Sequence, residues 1–453
     1  MTFAGQVAAR APALEVQSAL ANRFRTGAIW SVVGAAASQG GNLVLSILVA
    51  RLIGKELFGA YGMILSTTTL FGTIAGLGLG LTATKFVAEL RQSAPERAGR
   101  IIGLSTLLTW SSTIVASGLL FFLAHSLSTS VMGSARYASA LRLGSILLLF
   151  TTINGAQSGA LGGFEAFRAT AAANTARLAF LPLVAGLLMW KPNLNAAVAG
   201  TAVISAIPCC LNYFSIRRHC TKALIQVGYR SALREWPILI RFSIPVVLAG
   251  LLVGPVTWLT QASLLKRSGY SELAVFTAAN QWRTIITFLP AIIGQLSVPL
   301  LSNLRLVSPT SYRRVIRWTV SWTILCAAAI ALPVCLLSGQ VMRLYGRGFS
   351  SASMVCVLLS VAGVLAAVNG ALGAVLTSEG RLWASLFFNA AWAAVVLYSA
   401  HALIPQYHAL GLALAFVIAY GLHTAWQGLY SRHVVGQVSR YVAAAGAGTG
   451  SDG

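Results

Sequence analysis

Residues 51–62, Arg-Leu-Ile-Gly-Lys-Glu-Leu-Phe-Gly-Ala-Tyr-Gly, sit between two apolar runs, roughly 27–50 and 57–84. Each run is long enough to cross the ~30 Å hydrocarbon core of a bilayer as a helix. In oil every backbone N–H and C=O must find its partner inside the chain, so runs of this kind fold as helices. The polar link holds Gly54, Lys55 and Glu56 and makes a tight turn. The chain therefore opens with a transmembrane hairpin, and the rest of it repeats that theme.

Composition excludes a water-soluble domain. Of 453 residues, 57% are hydrophobic and 9% charged, against about 25% charged in soluble domains. Mean hydropathy is +0.77. Residues 1–26 lack the apolar core of a secretory signal. The net charge of +23 is spread over short loops, not gathered into a patch, which argues against nucleic acid as a partner. The six cysteines form no C-x-x-C pair and read as small apolar side chains, with no metal site and no cofactor implied.

Twelve apolar runs follow a polar, Ala-rich tail: 27–50, 57–84, 100–124, 140–165, 170–190, 194–215, 240–264, 272–300, 314–338, 351–378, 382–403 and 407–430. With the chain starting in the cytoplasm, twenty-two of the 32 basic residues fall on the cytoplasmic side, Arg168 and Arg177 among them, and nine on the outer side. This bias places both termini in the cytoplasm. The longest link, 216–239, is basic and divides six helices from six. Asn154-Gly155-Ala156 recurs as Asn369-Gly370-Ala371, 215 positions later, and Asn174/Asn389 and Tyr61/Phe276 keep the same spacing. The expectation is an all-α integral membrane protein of about twelve transmembrane helices in two six-helix lobes related by pseudo-twofold symmetry. Its parts are a tail 1–22, an N-lobe 23–215, a linker 216–239, a C-lobe 240–432 and a disordered tail 433–453.

The segment 51–62, followed by Gly-Leu-Gly-Leu-Gly-Leu-Thr-Ala-Thr-Lys-Phe-Val-Ala-Glu-Leu (76–90), resembles the start of bacterial polysaccharide flippases. These are the O-antigen and exopolysaccharide (Wzx-type) members of the multidrug/oligosaccharidyl-lipid/polysaccharide (MOP) exporter superfamily. Residues 281–299, leading into Val-Pro-Leu-Leu-Ser (298–302), resemble the matching helix of the second lobe. The resemblance implies a non-enzymatic transporter of the bacterial inner membrane. It would turn undecaprenyl-diphosphate-linked oligosaccharide from the cytoplasmic to the periplasmic face by alternating access, beside a polymerase and a chain-length regulator. The alternatives are a cation-coupled drug or metabolite exporter of the same superfamily, the peptidoglycan lipid II flippase, whose family has more helices, and a polysaccharide polymerase or ligase, which the short outer loops disfavour.

A bulky anionic head group needs a wet, cationic passage. Arg283 lies near the middle of the run 272–300, and an uncompensated charge there costs at least ~2.5 kcal/mol, so it is the leading candidate for substrate binding. Asn280, Gln281 and Thr284 extend its polar patch. Gln39, Asn42, Asn154, Gln157, Gln261 and Asn369 are amides at membrane depth, suited to sugar hydroxyls or to joining helices. Lys85, Arg142, Glu165, Arg168, Glu379, Arg381 and His423 are candidate gate or coupling groups, with Glu165–Arg168 and Glu379–Arg381 as local ion pairs. Pro245, Gly250, Gly254 and Pro255 mark a bend in the seventh helix. No Asp or Glu falls at membrane depth and no P-loop is present.

Overall fold

The computed structural model describes residues 3–229, 231–238, 252–304 and 309–448. The described chain is helical, without a strand. Its first half comprises α1 (Phe3–Ile53), α2 (Lys55–Ala75), α3 (Leu79–Leu90), α4 (Pro95–Ser130), α5 (Ala138–Gly163), α6 (Phe167–Ala176), α7 (Leu181–Trp190) and α8 (Leu194–Lys222). The second half comprises α9 (Val253–Ser268), α10 (Tyr270–Leu304), α11 (Pro309–Leu336), α12 (Ser338–Arg343), α13 (Ser353–Ser378) and α14 (Leu382–Gly448). Pro245 and Gly250 lie outside the described residues, while Gly254 and Pro255 stand in the first turn of α9.

Among the described residues, nine stretches are long and apolar enough to cross a membrane. The last, Trp383–Gly436, holds two helical limbs, because His408 adopts φ 52° and breaks the helix. The chain folds back there: Trp392 meets Tyr420 at 5.3 Å and Phe388 meets Tyr430 at 5.4 Å between ring centroids. The helix then runs on to Gly448, beyond the end expected at residue 430, since the Ala-rich tail is itself a good helix former.

Each half packs within itself, and the two meet where α2 lies against α9 and α10. The opening motif makes this junction. Gly54 and Gly269, 215 residues apart, both take φ 85° and start α2 and α10. A Cβ at Gly59 would lie 2.1 Å from the Tyr270 carbonyl oxygen, and one at Gly62 would lie 2.4 Å from Thr277 Oγ1. Small residues let helix backbones approach this closely. Around them Phe58 contacts Tyr345 and Phe349 from the second half, at 5.9 and 6.1 Å, and all three rings are buried. The Tyr137 and Tyr270 rings pack tilted with centroids 5.2 Å apart, and the Tyr270 hydroxyl donates to the Met132 carbonyl. Arg51 Nε donates to the Leu344 carbonyl at 2.6 Å, and Lys55 lies over Phe349. This end of the molecule is sealed.

The second expected span does not run unbroken through 57–84. Leu77 (φ 46°) and Gly78 (φ 63°) are left-handed, which ends α2 and restarts the chain as α3. Ser112 of α4 donates to the freed Ala75 carbonyl at 2.7 Å. α3 then packs on α5 through glycine: a Cβ at Gly159 would lie 2.2 Å from the Gly80 carbonyl oxygen, and Thr84 Oγ1 donates to the Gly159 carbonyl. The equivalent helix of the second half, α10, has no such break.

A polar cavity against the broken helix

A cavity of about 650 Å³ opens beside this break. α1 supplies Asn42 and Ser46, α2 supplies Tyr61, Thr68, Thr69 and Thr73, and the break supplies Gly76 and Gly78. Thr151 and Thr152 come from α5, Thr201 and Ser205 from α8, and Thr277 and Gln281 from α10 of the other half. Among its described lining residues the charged one is Arg177, and none is a carboxylate. Non-helical backbone at membrane depth is tolerated where it borders such a cavity.

Local sequence explains how Arg177 arrives there. Pro182 carries no N–H for the Leu178 carbonyl, so the fifth span is interrupted by the 3-10 turn Arg177–Phe180 between α6 and α7. Gly27, Gly34 and Gly41 recur every seven residues, two helical turns, and form a stripe on α1. A Cβ at Gly34 would lie 2.8 Å from Ala171 Cα, and one at Gly41 would lie 2.5 Å from Leu178 Cδ2. The α6 backbone thus approaches α1, and Arg177 Nη2 donates to Asn42 Oδ1 at 2.5 Å. Tyr61 and Thr201, which line the same cavity, share a hydrogen bond of 2.9 Å.

The two halves differ at the equivalent positions. At the 215-residue spacing, Tyr61, Arg177 and Thr201 correspond to Phe276, Trp392 and Phe416. Those three rings pack together, Phe276 stacked on Phe416 at 5.9 Å and Trp392 tilted against Phe416 at 6.4 Å. The first half has a polar cluster where the second has an aromatic core.

Of the amides and cations singled out in the sequence, Asn42 and Gln281 line this cavity. Gln39 is half-buried one turn earlier on α1. Arg283 binds within its own half: Nε donates to Asn280 Oδ1 at 2.7 Å, and the guanidinium lies 5.5 Å from the Phe416 ring centre. Asn154 Oδ1 accepts from Asn212 Nδ2 at 2.9 Å, and Asn369 Nδ2 donates to the Tyr420 carbonyl at 3.3 Å. Gln157 lines a different pocket, and Gln261 is buried in α9.

The gate candidates are dispersed. Glu165 pairs with Arg91, while Arg168 lies over Trp30. Glu379 accepts from the Tyr312 hydroxyl at 2.5 Å, and Arg381 Nη1 donates to the Tyr430 hydroxyl at 2.9 Å. Lys85 lies over Phe86 and Arg142 over Phe121. His423 is buried beside Trp426. The aromatic and glycine contacts of the 51–62 motif lie apart from these, at the junction of the two halves. Arg177, assigned to the cytoplasmic side by the charge count, lies inside the span Phe167–Trp190, which covers the expected run 170–190. Pro182 was the signal for that interruption.

Residues 24–305 match the family described as polysaccharide biosynthesis protein. The EPS I polysaccharide export inner membrane protein EpsE of Ralstonia nicotianae (strain ATCC BAA-1114 / GMI1000) is 24% identical over 412 residues, covering 88% of this chain and 91% of that protein. The fold is that of a multidrug resistance MATE family transporter of the MOP superfamily in its inward-facing conformation (TM-score 0.70, 16% identity, 90% of this chain and 99% of that one). It is shared by a MOP superfamily transporter from Pyrococcus furiosus, for which reverse polarity of the binding pocket suggests a different function (TM-score 0.67, 16% identity, 91% and 95%).

Proposed function

This chain belongs to the polysaccharide biosynthesis protein family, and we propose that it is a flippase that turns a lipid-diphosphate-linked oligosaccharide across the inner membrane. The observation that carries this reading is the cavity: its charged lining residue is Arg177, and hydroxyls and amides make up most of its polar wall. A guanidinium fits a diphosphate through charge-assisted, bidentate hydrogen bonds. Threonine hydroxyls and the amides of Asn42 and Gln281 both donate and accept, as sugar hydroxyls require. The lipid tail stays in the bilayer throughout.

With both termini in the cytoplasm, the sealed end lies on the periplasmic side and the cavity opens inward. The head group enters beside the α2–α3 break. Parting of the 51–62 motif from Tyr270, Tyr345 and Phe349 then opens the outer side. Twelve crossings in two lobes give this motion its two rigid bodies. A polymerase and a chain-length regulator are the partners expected to consume the product.

The fold is equally that of drug exporters, and the cavity separates the readings. A cationic drug is matched by a carboxylate, whereas an arginine repels it. Proteoliposomes holding the purified protein test both. The proposal expects turnover of undecaprenyl-diphosphate-linked oligosaccharide, read by access of a glycan-modifying enzyme from outside, and no ethidium movement. Ethidium transport without oligosaccharide turnover would establish the drug exporter instead.

A further inference from the structure

A second cavity, of about 900 Å³, lies between α11, α13 and the second limb of α14. It is apart from the Arg177 cavity and shares no lining residue with it. Arg313 and Arg317 of α11 and Arg432 of α14 converge on it, and no acidic residue is among its described lining. Its walls are apolar, with Val320, Val368, Leu372 and Leu429. Ser431 also lines it and is buried, 4% exposed.

The first half holds the counterpart. A pocket of about 360 Å³ lies between α4, α5 and α8. At the 215-residue spacing its Ile102, Ile153, Gln157 and Arg217 correspond to Arg317, Val368, Leu372 and Arg432. Arginine thus stands at one position in both halves. In the first half, Val227 and Tyr229 of the link after α8 also line the pocket, so the chain covers it. In the second half two further arginines, Arg313 and Arg317, stand at the pocket.

We infer that the second-half pocket is a binding site for a lipid with a net-anionic phosphate head group, with Arg313, Arg317 and Arg432 on the phosphate and the apolar wall on the chain. Arginine forks match phosphate geometry. Basic pockets between membrane helices at the bilayer edge take such head groups. Arginines that only fix topology have no need of a shared cavity or of a counterpart in the other half.

The test is native mass spectrometry of the full-length protein mixed with equimolar phosphatidylglycerol, undecaprenyl phosphate and phosphatidylcholine. The wild type is expected to retain at least one phosphate-charged lipid over phosphatidylcholine by about tenfold or more. Retention of phosphatidylglycerol alone, or of undecaprenyl phosphate alone, identifies the source. The triple variant Arg313→Gln, Arg317→Gln, Arg432→Gln is expected to fall to the phosphatidylcholine level. Gly428→Leu keeps the charges and fills the wall, since a Cβ there would sit 3.8 Å from Leu372 Cδ1; it is expected to lower retention as well. Equal retention of charged and zwitterionic lipids by the wild type, or unchanged retention in the triple variant, would overturn the site. The readout is binding and not turnover, so its failure leaves the proposed flipping untouched.

Discussion

Arg177 and Asn42 are 135 residues apart in sequence and joined by a hydrogen bond of 2.5 Å from Nη2 to Oδ1. The amide holds the guanidinium against α1 while Tyr61 and Thr201 line the same cavity. Asn42→Ala removes this orientation and leaves the charge. We expect a loss of about 3- to 10-fold in the initial flipping rate in proteoliposomes, the scale of one ordinary hydrogen bond, since the charge itself remains. Asn42→Asp neutralises the guanidinium and should lose more than Asn42→Ala. The reverse order would show that the Arg177 charge does not serve substrate.

Arg283 is engaged by Asn280 and by the face of Phe416. Its removal should therefore cost the second half stability before it costs transport. For Arg283→Gln we expect a destabilisation of about 1–2 kcal/mol, read as a lower thermal midpoint in detergent, with flipping reduced less than in Arg177→Gln. A normal midpoint with abolished flipping would assign Arg283 to the passage.

Gly59 has no room for a side chain, because a Cβ would meet the Tyr270 carbonyl oxygen at 2.1 Å. Gly59→Val should force α2 from α10 and open the sealed end. A Thr277→Cys probe in a cysteine-free background should then react with a membrane-impermeant maleimide added outside cells. It should stay protected when Gly59 is intact. Equal labelling in both would place the closure elsewhere.

The break after α2 rests on two left-handed residues, Leu77 and Gly78. Leucine is strained there and glycine is not. Gly78→Ala should destabilise by about 1 kcal/mol, and Leu77→Gly should be neutral or stabilising by up to about 1 kcal/mol. Thermal unfolding of the two purified variants checks the opposite signs.

Much of the fold was legible because membrane helices are long, apolar and bounded by charge. The 215-residue repeat surfaced at Tyr61 and Phe276, which both follow a glycine of φ 85° at the same distance. The break at Leu77–Gly78 was not legible, since glycine in a membrane helix serves close packing as readily as unwinding. Hydropathy also hid Arg177. One cation within an apolar run reads as a loop residue until Pro182 is seen to interrupt the helix. Arg283 was found by depth alone, and depth does not reveal that Phe416 and Asn280 already occupy it. The amides divided as their chemistry allows: Asn42 and Gln281 face the cavity, while Asn154 joins α5 to α8.

The central claim is that Arg177 is the cation that carries the anionic head group through the membrane. The most direct measurement replaces it in a strain deleted for this gene and scores lipid-linked oligosaccharide on each membrane face, at matched protein levels. Wild type should restore periplasmic substrate, Arg177→Gln should leave it on the cytoplasmic face with at least about a tenfold loss, and Arg177→Lys should recover part of the flux. Normal flipping by Arg177→Gln would contradict the account.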